Sequence, residues 1–262
     1  MIIKKFTLLI IFTSLLTSCY NYKRLIYIRD DAEKFSDRPT VIETTPKEYL
    51  LNVNDVLSIN VQSPEPDVSN IFNLNSGQGN SYRSSPMDFY LMGYIVNNLG
   101  NIKLPIIGDI YVKDLSIGDA QRVVQEEVNK YLKQANVIIK LLSFKITVLG
   151  EVARPGYFYI YNGQANIFEA LGLAGDVTEL GKKEGVKLFR QTRKGTEVVL
   201  IDLTDPRFMK SDYYYVQPND IIYVEPFKAN TKRTNLEMLT YLSIIFSAIS
   251  ATLLILNYFA SN

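Results

Sequence analysis

The sequence predicts an α+β chain: mixed short strands, one amphipathic helix, and a C-terminal transmembrane helix. Three observations carry this. Two strongly apolar runs sit at the two ends of the 262 residues. Between them, period-two alternation recurs in short runs separated by Asn, Asp, Gly and Pro. A stretch from Ser116 switches to a helical period.

Composition excludes several chemistries. There is no His, which removes Ser-His-Asp and Cys-His catalysis and every His-ligated metal site. One Cys excludes an intrachain disulfide and a Cys-ligated metal cluster. The formal net charge of +1 gives no nucleic-acid footprint. No cofactor and no metal ligand set is expected. What survives is a binding, transport or structural protein, or a carboxylate-based enzyme.

Residues 1–18 read as a secretory signal. Lys4 and Lys5 precede the apolar run Phe6–Leu16, which is too short to span a bilayer comfortably. Leu16-Thr17-Ser18-Cys19 then resembles the lipobox of bacterial lipoproteins. That resemblance implies a diacylglycerol on the Cys19 thiol and a mature chain beginning there. Removing Lys4 and Lys5 takes the charge from +1 to −1, with 26 basic residues left against 27 acidic ones. Residues 20–48, with Pro39 and Pro46, read as part of a tether over 19–48.

Folded sequence begins at Tyr49. An Asn54-Asp55 turn precedes a strand through Val61, and 62–88 is a polar loop or insertion. Its Gly77-Gln78-Gly79 lacks the third glycine of a phosphate cradle and reads as loop. Tyr94–Val112 reads as two strands around Asn98-Leu99-Gly100-Asn101, with Pro105 favouring an edge or bulge. Ser116 starts a helix whose apolar face is Ile117, Ala120, Val124, Val128 and Tyr131. Strands follow at Asn136–Leu142 and Lys145–Val152, with a turn at Arg154-Pro155-Gly156 and a return at Tyr157–Tyr161. Asn166 caps a short helix, Ile167–Leu173, which stops at Gly175. Gly185–Thr192 and Glu197–Leu203 form a hairpin, and Tyr213–Pro226 a Tyr-rich strand pair.

One internal echo stands out. Tyr49 to Ile59 matches Tyr214 to Val224 at a constant offset of 165, aligning Asn54-Asp55 with Asn219-Asp220. The shared physics is a turn whose Asx side chain satisfies local backbone.

At the C-terminus, Met238–Phe259 carries no charge over 22 residues, roughly 33 Å as a helix, enough for a ~30 Å hydrocarbon core. Thr240, Ser243, Ser247, Ser250 and Asn257 fall on about one 100° arc, with Leu254 the apolar interruption. Ile244, Ile245, Phe246, Ile249 and Leu253 fall elsewhere. Three readings stay open: the stripe packs on a neighbouring helix, lines a wet lumen in a ring of copies, or bonds back to its own backbone in a simple anchor. Lys228, Lys232 and Arg233 precede the span and no charge follows it. With the folded part outside the inner membrane, that flank opposes the positive-inside rule, so the outer membrane fits better.

Tyr49–Ile59, Asn98 to Ile110 with Pro105 and Gly108, and the helix from Ser116 resemble a polysaccharide export domain. Val148 to Tyr157, with Gly150, Pro155 and Gly156, together with Ala170 to Gly175 and Tyr215 to Asp220, resembles a soluble-ligand-binding β-grasp domain. With a lipobox and a C-terminal helix, the chain is similar to outer-membrane lipoproteins that export capsular or extracellular polysaccharide. The resemblance implies an export domain at 49–143, one β-grasp domain at 144–227 and a transmembrane helix at 238–259. It further implies a homo-oligomeric ring with an α-helical pore, soluble domains in the periplasm, and an inner-membrane co-polymerase or tyrosine-kinase partner. Polysaccharide and membrane lipid complete the partners, without nucleic acid. Three departures stand: the family's Pro-Gly-Asp turn is Val53-Asn54-Asp55, its Ala-Gly-Gly is Ala174-Gly175-Asp176, and only one β-grasp repeat is present. A shorter vestibule follows.

The rival class is a carboxylate enzyme, with Asp30/Asp31, Glu126/Glu127 and Asp202/Asp205 as candidate pairs. Adjacent carboxylates on a strand or helix diverge and do not share a proton, so no enzyme is expected. Glu151 and Arg154 read as a surface ion pair. The second functional reading is a lipid-anchored sugar-binding or scaffold module without a pore. Tyr157, Phe158, Tyr159, Tyr161 and Tyr213–Tyr215 are its stacking candidates.

Overall fold

The computed structural model describes residues 25–29, 41–64, 69–73, 93–227 and 236–260. The signal segment 1–18, Cys19, Asp30, Asp31, Gly77-Gln78-Gly79, Lys228, Lys232 and Arg233 lie outside the described residues. Two hydrophobic cores organise the rest, one drawn from residues between Leu51 and Ile139, the other from Phe144 to Val224. Leu141 packs against both.

In the first module, strand β1 (Val56–Gln62) lies between β2 (Tyr94–Ile95) and β5 (Asn136–Leu141), antiparallel to each. Register pairs Leu57 with Leu141, Ile59 with Ile139 and Val61 with Val137, so the inward face is a ladder of apolar pairs. Helix α1 (Ile117–Asn129) covers it with Ala120, Val124 and Val128. The Ser116 hydroxyl caps α1 by accepting from the Asp119 N–H at 3.1 Å. A hairpin of β3 (Asn101–Leu104) and β4 (Gly108–Tyr111) adds Ile102, Leu104 and Ile110 to the core.

Two expectations are corrected in this module. Tyr94–Val112 holds three strands, because Pro105 ends β3 and a second turn follows it, with Ile106 at φ +66°. Tyr131 is exposed: α1 stops at Asn129, two residues before Tyr131, so the apolar period does not carry it inward.

The second module contains β6 (Lys145–Gly150), β7 (Gly156–Tyr159), β8 (Ala165–Asn166), helix α2 (Ile167–Leu173), β9 (Gly181–Thr192), β10 (Gly195–Ile201), β11 (Tyr215–Val216) and β12 (Ile221–Pro226). Five of these form a sheet in the order β10-β9-β12-β6-β7. The central pair β12–β6 is parallel and the others are antiparallel. Two hairpins thus flank the central parallel pair over a core beneath α2. Asn166 and Glu169 form a reciprocal capping box at the start of α2. Tyr213–Pro226 is not a strand pair. The Asn219-Asp220 turn sends β12 into the five-stranded sheet, while β11 pairs with β8.

Residues 25–29 fall within the expected tether, yet they are docked on the second module. The Ile28 N–H donates to Leu203 O at 3.1 Å and the Arg29 N–H to Thr204 O at 2.7 Å. The Tyr27 ring meets Phe168 edge-on at 5.7 Å, and its hydroxyl donates to Asp176. The Lys183 ammonium lies 4.7 Å from the Tyr27 ring centroid, which explains how a lysine only 3% exposed is tolerated.

Helix α3 (Leu236–Ala260) is one continuous helix, and Tyr241, Ile244, Phe246 and Ile249 are exposed on it. Among the described residues no helix is long and apolar enough to cross a membrane, so the structure does not support the expected span at 238–259. It shows a long helix on which the described apolar side chains are exposed.

Gly150 marks the closest backbone approach in the second module. Its φ is +87°, and a Cβ there would sit 2.1 Å from Val224 O on the paired strand. Gly150→Ala should cost about 2–4 kcal/mol, read as a lowered midpoint in chemical denaturation of the solubilised chain.

Candidate functional site

The aligned Asn-Asp turns are the same physical device used twice. Asn54 and Asn219 both adopt left-handed backbone, φ +70° and +68°, a conformation Asn tolerates where most side chains are strained. Val53-Asn54-Asp55 therefore keeps a turn that elsewhere uses glycine. The following carboxylate is buried in each case, Asp55 at 2% and Asp220 at 1% exposure. Asp55 Oδ2 accepts the Asn52 N–H at 2.8 Å, and Asp220 Oδ2 accepts the Gln217 N–H at 2.7 Å. Each carboxylate so closes the turn that launches its strand, β1 or β12. Asp176 repeats the substitution logic, at φ +76° after Gly175 at +77°.

The remaining partners differ. Asp55 receives the Tyr49 hydroxyl at 2.9 Å and the Ser143 hydroxyl at 3.3 Å. Burial pushes its carboxyl upward, and the Asn52, Tyr49 and Ser143 donors partly offset this. Asp220 faces a cation: Arg190 donates Nε to Oδ1 at 3.0 Å and a second nitrogen to Oδ2 at 2.7 Å. The same guanidinium reaches Tyr215 O at 2.9 Å, so most of its fork is satisfied. Burial pushes Asp220 up and Arg190 pulls it back. Tyr49 is driven far up by burial and by Asp55, and Asp220 adds to this, which couples the two turns across the junction.

Two clefts flank the Lys47–Tyr49 segment at that junction. One, of about 550 Å³, runs between Tyr49, Ile117, Leu141, Phe144, Tyr161 and Tyr215. The other, of about 800 Å³, has Lys47, Lys113, Arg193 and Glu197 on its walls. Arg193 of the second module pairs there with Asp114 of the first. Exposed pairs of this kind contribute little energy.

Several expected residues serve the scaffold. Pro105 and Gly108 bracket the β3–β4 turn, and Pro155 and Gly156 lead into β7. Glu151 and Arg154 do not pair with each other: Arg154 donates to Leu173 O at 3.0 Å and Glu151 accepts from Thr178 Oγ1 at 3.0 Å. Asp202 Oδ1 binds Thr204, Asp205 caps a 3-10 turn at Pro206–Lys210 with Arg207 against it, and Glu127 pairs with Lys130. Among the described residues no group of three acidic or cysteine side chains is placed to hold a metal. Of the stacking candidates, Tyr157 and Tyr161 are exposed, Phe158 packs on the core, and Tyr214 meets Phe208 and Tyr215 edge-on.

On α3, Ser243, Ser247 and Ser250 are exposed on one stretch of helix surface. The Ser247 hydroxyl donates to Ser243 O at 2.9 Å, and Thr252 bonds back to Ala248 O. The side chains of Thr240 and Asn257 lie outside the described residues, as does Cys19.

Residues 43–142 match the family model described as Polysaccharide biosynthesis/export protein. This stretch is therefore similar to polysaccharide export domains. Its bounds take in the segment beside Tyr49, the Asp55 turn and all of the first module through β5. The chain is also 25% identical over 162 residues to the "EPS I polysaccharide export outer membrane protein EpsA" of Ralstonia nicotianae. That alignment covers 60% of this chain and 42% of the relative, so the chain spans about two fifths of the relative's length.

Arg190 was not singled out by sequence reasoning, although a signal existed. It continues the inward alternation of Val186 and Leu188 in β9, where a charge must find a buried partner. Lys183 is buried on the preceding series, 181, 183 and 185, before the alternation shifts at Gly185 and Val186. Tyr27 carried no such signal, because its socket is assembled from Phe168, Asp176 and Lys183.

Arg190→Met leaves the Asp220 carboxylate buried without its cation and should cost about 3–5 kcal/mol at neutral pH. Equilibrium denaturation beside Asp220→Asn checks this. Asp55 predicts a distinct pH signature. Its native carboxyl titrates above the ordinary carboxylate range, so its stabilisation is full below that range and falls as pH rises. The deficit of Asp55→Asn relative to wild type should therefore shrink between pH 4 and pH 7.

Proposed function

We propose that the chain is a subunit of an outer-membrane exporter of capsular or extracellular polysaccharide. The match of residues 43–142 to the export family carries this reading. In it, Cys19 bears the diacylglycerol anchor and the folded modules lie in the periplasm. Copies assemble in a ring, an inner-membrane co-polymerase or kinase hands over the polymer, and the α3 helices gather around a passage lined by Thr240, Ser243, Ser247, Ser250 and Asn257. The chain's geometry supports this arrangement in one respect. Docked residues 25–29 and the end of β12 both belong to the second module, so the lipid-bearing end and α3 depart from the same body.

A second reading is a lipid-anchored binding or scaffold module without a pore. The Ser247 to Ser243 O bond favours it, because a hydroxyl satisfied by its own helix has less need of a wet lumen.

Light scattering of the detergent-solubilised mature chain, with a truncation ending at Glu237 alongside, separates the two. A discrete multimer that needs α3 supports the exporter; monomers in both samples overturn it. Ser243→Leu with Ser247→Leu should abolish surface polymer while the multimer persists, and normal surface polymer would rule out a lumenal stripe. Cys19→Ser should remove incorporation of labelled fatty acid.

A further inference from the structure

The outer face of the five-stranded sheet, opposite α2, carries apolar side chains at both edges, with Thr147 and the Lys187–Glu225 pair between them. One register row reads Val198, Phe189, Ile221, Thr147, Tyr157 across β10-β9-β12-β6-β7. The next places Leu200 beside Lys187, Tyr223 and Leu149. Exposure along the face is uneven. Mid-sheet Ile221 and Leu149 are 37% and 41% exposed, whereas Val198 and Leu200 on β10 reach 56% and 67%, and Tyr157 on β7 reaches 63%. The most exposed apolar side chains are those whose next cross-strand neighbour is missing.

Both edges are open. Among the described residues β10 pairs only with β9, and β7 only with β6. Alternate residues of an edge strand turn N–H and C=O away from the sheet, and a seven-residue edge such as Gly195–Ile201, apolar from Val198 onward, is a template for another strand. The two edges also fit each other. Because β12 and β6 are parallel and every other pair is antiparallel, β10 and β7 run in opposite directions.

From this we infer that β10 of one copy adds to β7 of the next as an antiparallel pair. The inference deepens the exporter reading and rests on its assembly of copies. The contact places aliphatic Val198 and Leu200 against aromatic Tyr157 and Tyr159 of the neighbour, a favoured cross-strand combination. It is head-to-tail, since two different edges meet, and a head-to-tail contact closes into a ring when the rotation per copy allows. Each copy contributes roughly 300–400 Å², short of the ~800 Å² per partner of a self-sufficient interface. The pairing therefore sets the register of neighbours within an assembly held also by other contacts. The occupant is a second copy rather than sugar, because Val198 and Leu200 offer a polymer no hydrogen bond.

Cysteine cross-linking of the full solubilised chain tests this. Val198→Cys combined with Tyr157→Cys or Tyr159→Cys should give, on mild oxidation, a ladder of covalent multimers that ends at the assembly's size. Each single variant should give none beyond background. Dimers from Val198→Cys alone would mean that two β10 edges meet, and would overturn the inference. So would a wild-type multimer that shows no ladder in any double variant. Leu200→Lys, at an exposed position that leaves the monomer fold intact, should weaken assembly at least tenfold, measured as the concentration at which multimers dissociate. An unchanged dissociation profile, or loss of assembly only on adding oligosaccharide, would count against the pairing. A wild-type chain that is monomeric at every concentration would overturn the exporter reading itself, which distinguishes the two failures.

Discussion

Asp55 and Asp220 are both withdrawn from water, and a buried carboxylate costs several kcal/mol unless it is paired or hydrogen-bonded. Much of the architecture answers that demand. Closing on the N–H three residues upstream fixes the turns that launch β1 and β12. β1 is the middle strand of the first sheet, and β12 sits at the centre of the second. The other donors to Asp55 come from Tyr49, before the turn, and from Ser143, in the link between modules. Asp220 draws Arg190 inward, and Arg190 in turn holds Tyr215 O beside the same link. Satisfying two charges therefore sets the entry of two central strands and the geometry of the junction.

The second module acts as the hub. It accepts residues 25–29 through two backbone bonds and an aromatic socket, contacts the first module through Arg193 and Asp114, and precedes α3. Its inward face is occupied by α2 and the core. Among the described residues no strand pairs with either edge of its sheet. On α3 the described apolar side chains are exposed. Uncovered apolar surface of this extent is where a chain meets a membrane or other copies of itself.

Local signals were legible where one short stretch decides the outcome. The Ser116 cap, the Asn166 capping box, the span of α2 and the inward faces of β1 and β5 all follow from nearest-neighbour chemistry. The echo at an offset of 165 identified two equivalent turns because an Asx turn is a local device. Errors arose where distant partners decide. Tyr131 continues the apolar period but lies past the end of α1. Tyr213–Pro226 reads as one strand pair, yet β11 finds β8 and β12 finds β6 and β9. Tyr27 sits in polar sequence and is ordered by residues about 140 to 180 positions away.

By itself the sequence determined the helix caps, the Asn-Asp turns, a long C-terminal helix and the resemblance to polysaccharide exporters. These rest on patterning and turn chemistry that act over a few residues. Only the tertiary structure decided that Arg190 neutralises Asp220, that residues 25–29 dock rather than drift, and that β10 and β7 are opposed edges. Each depends on strand order and register, which bring together residues far apart in the chain.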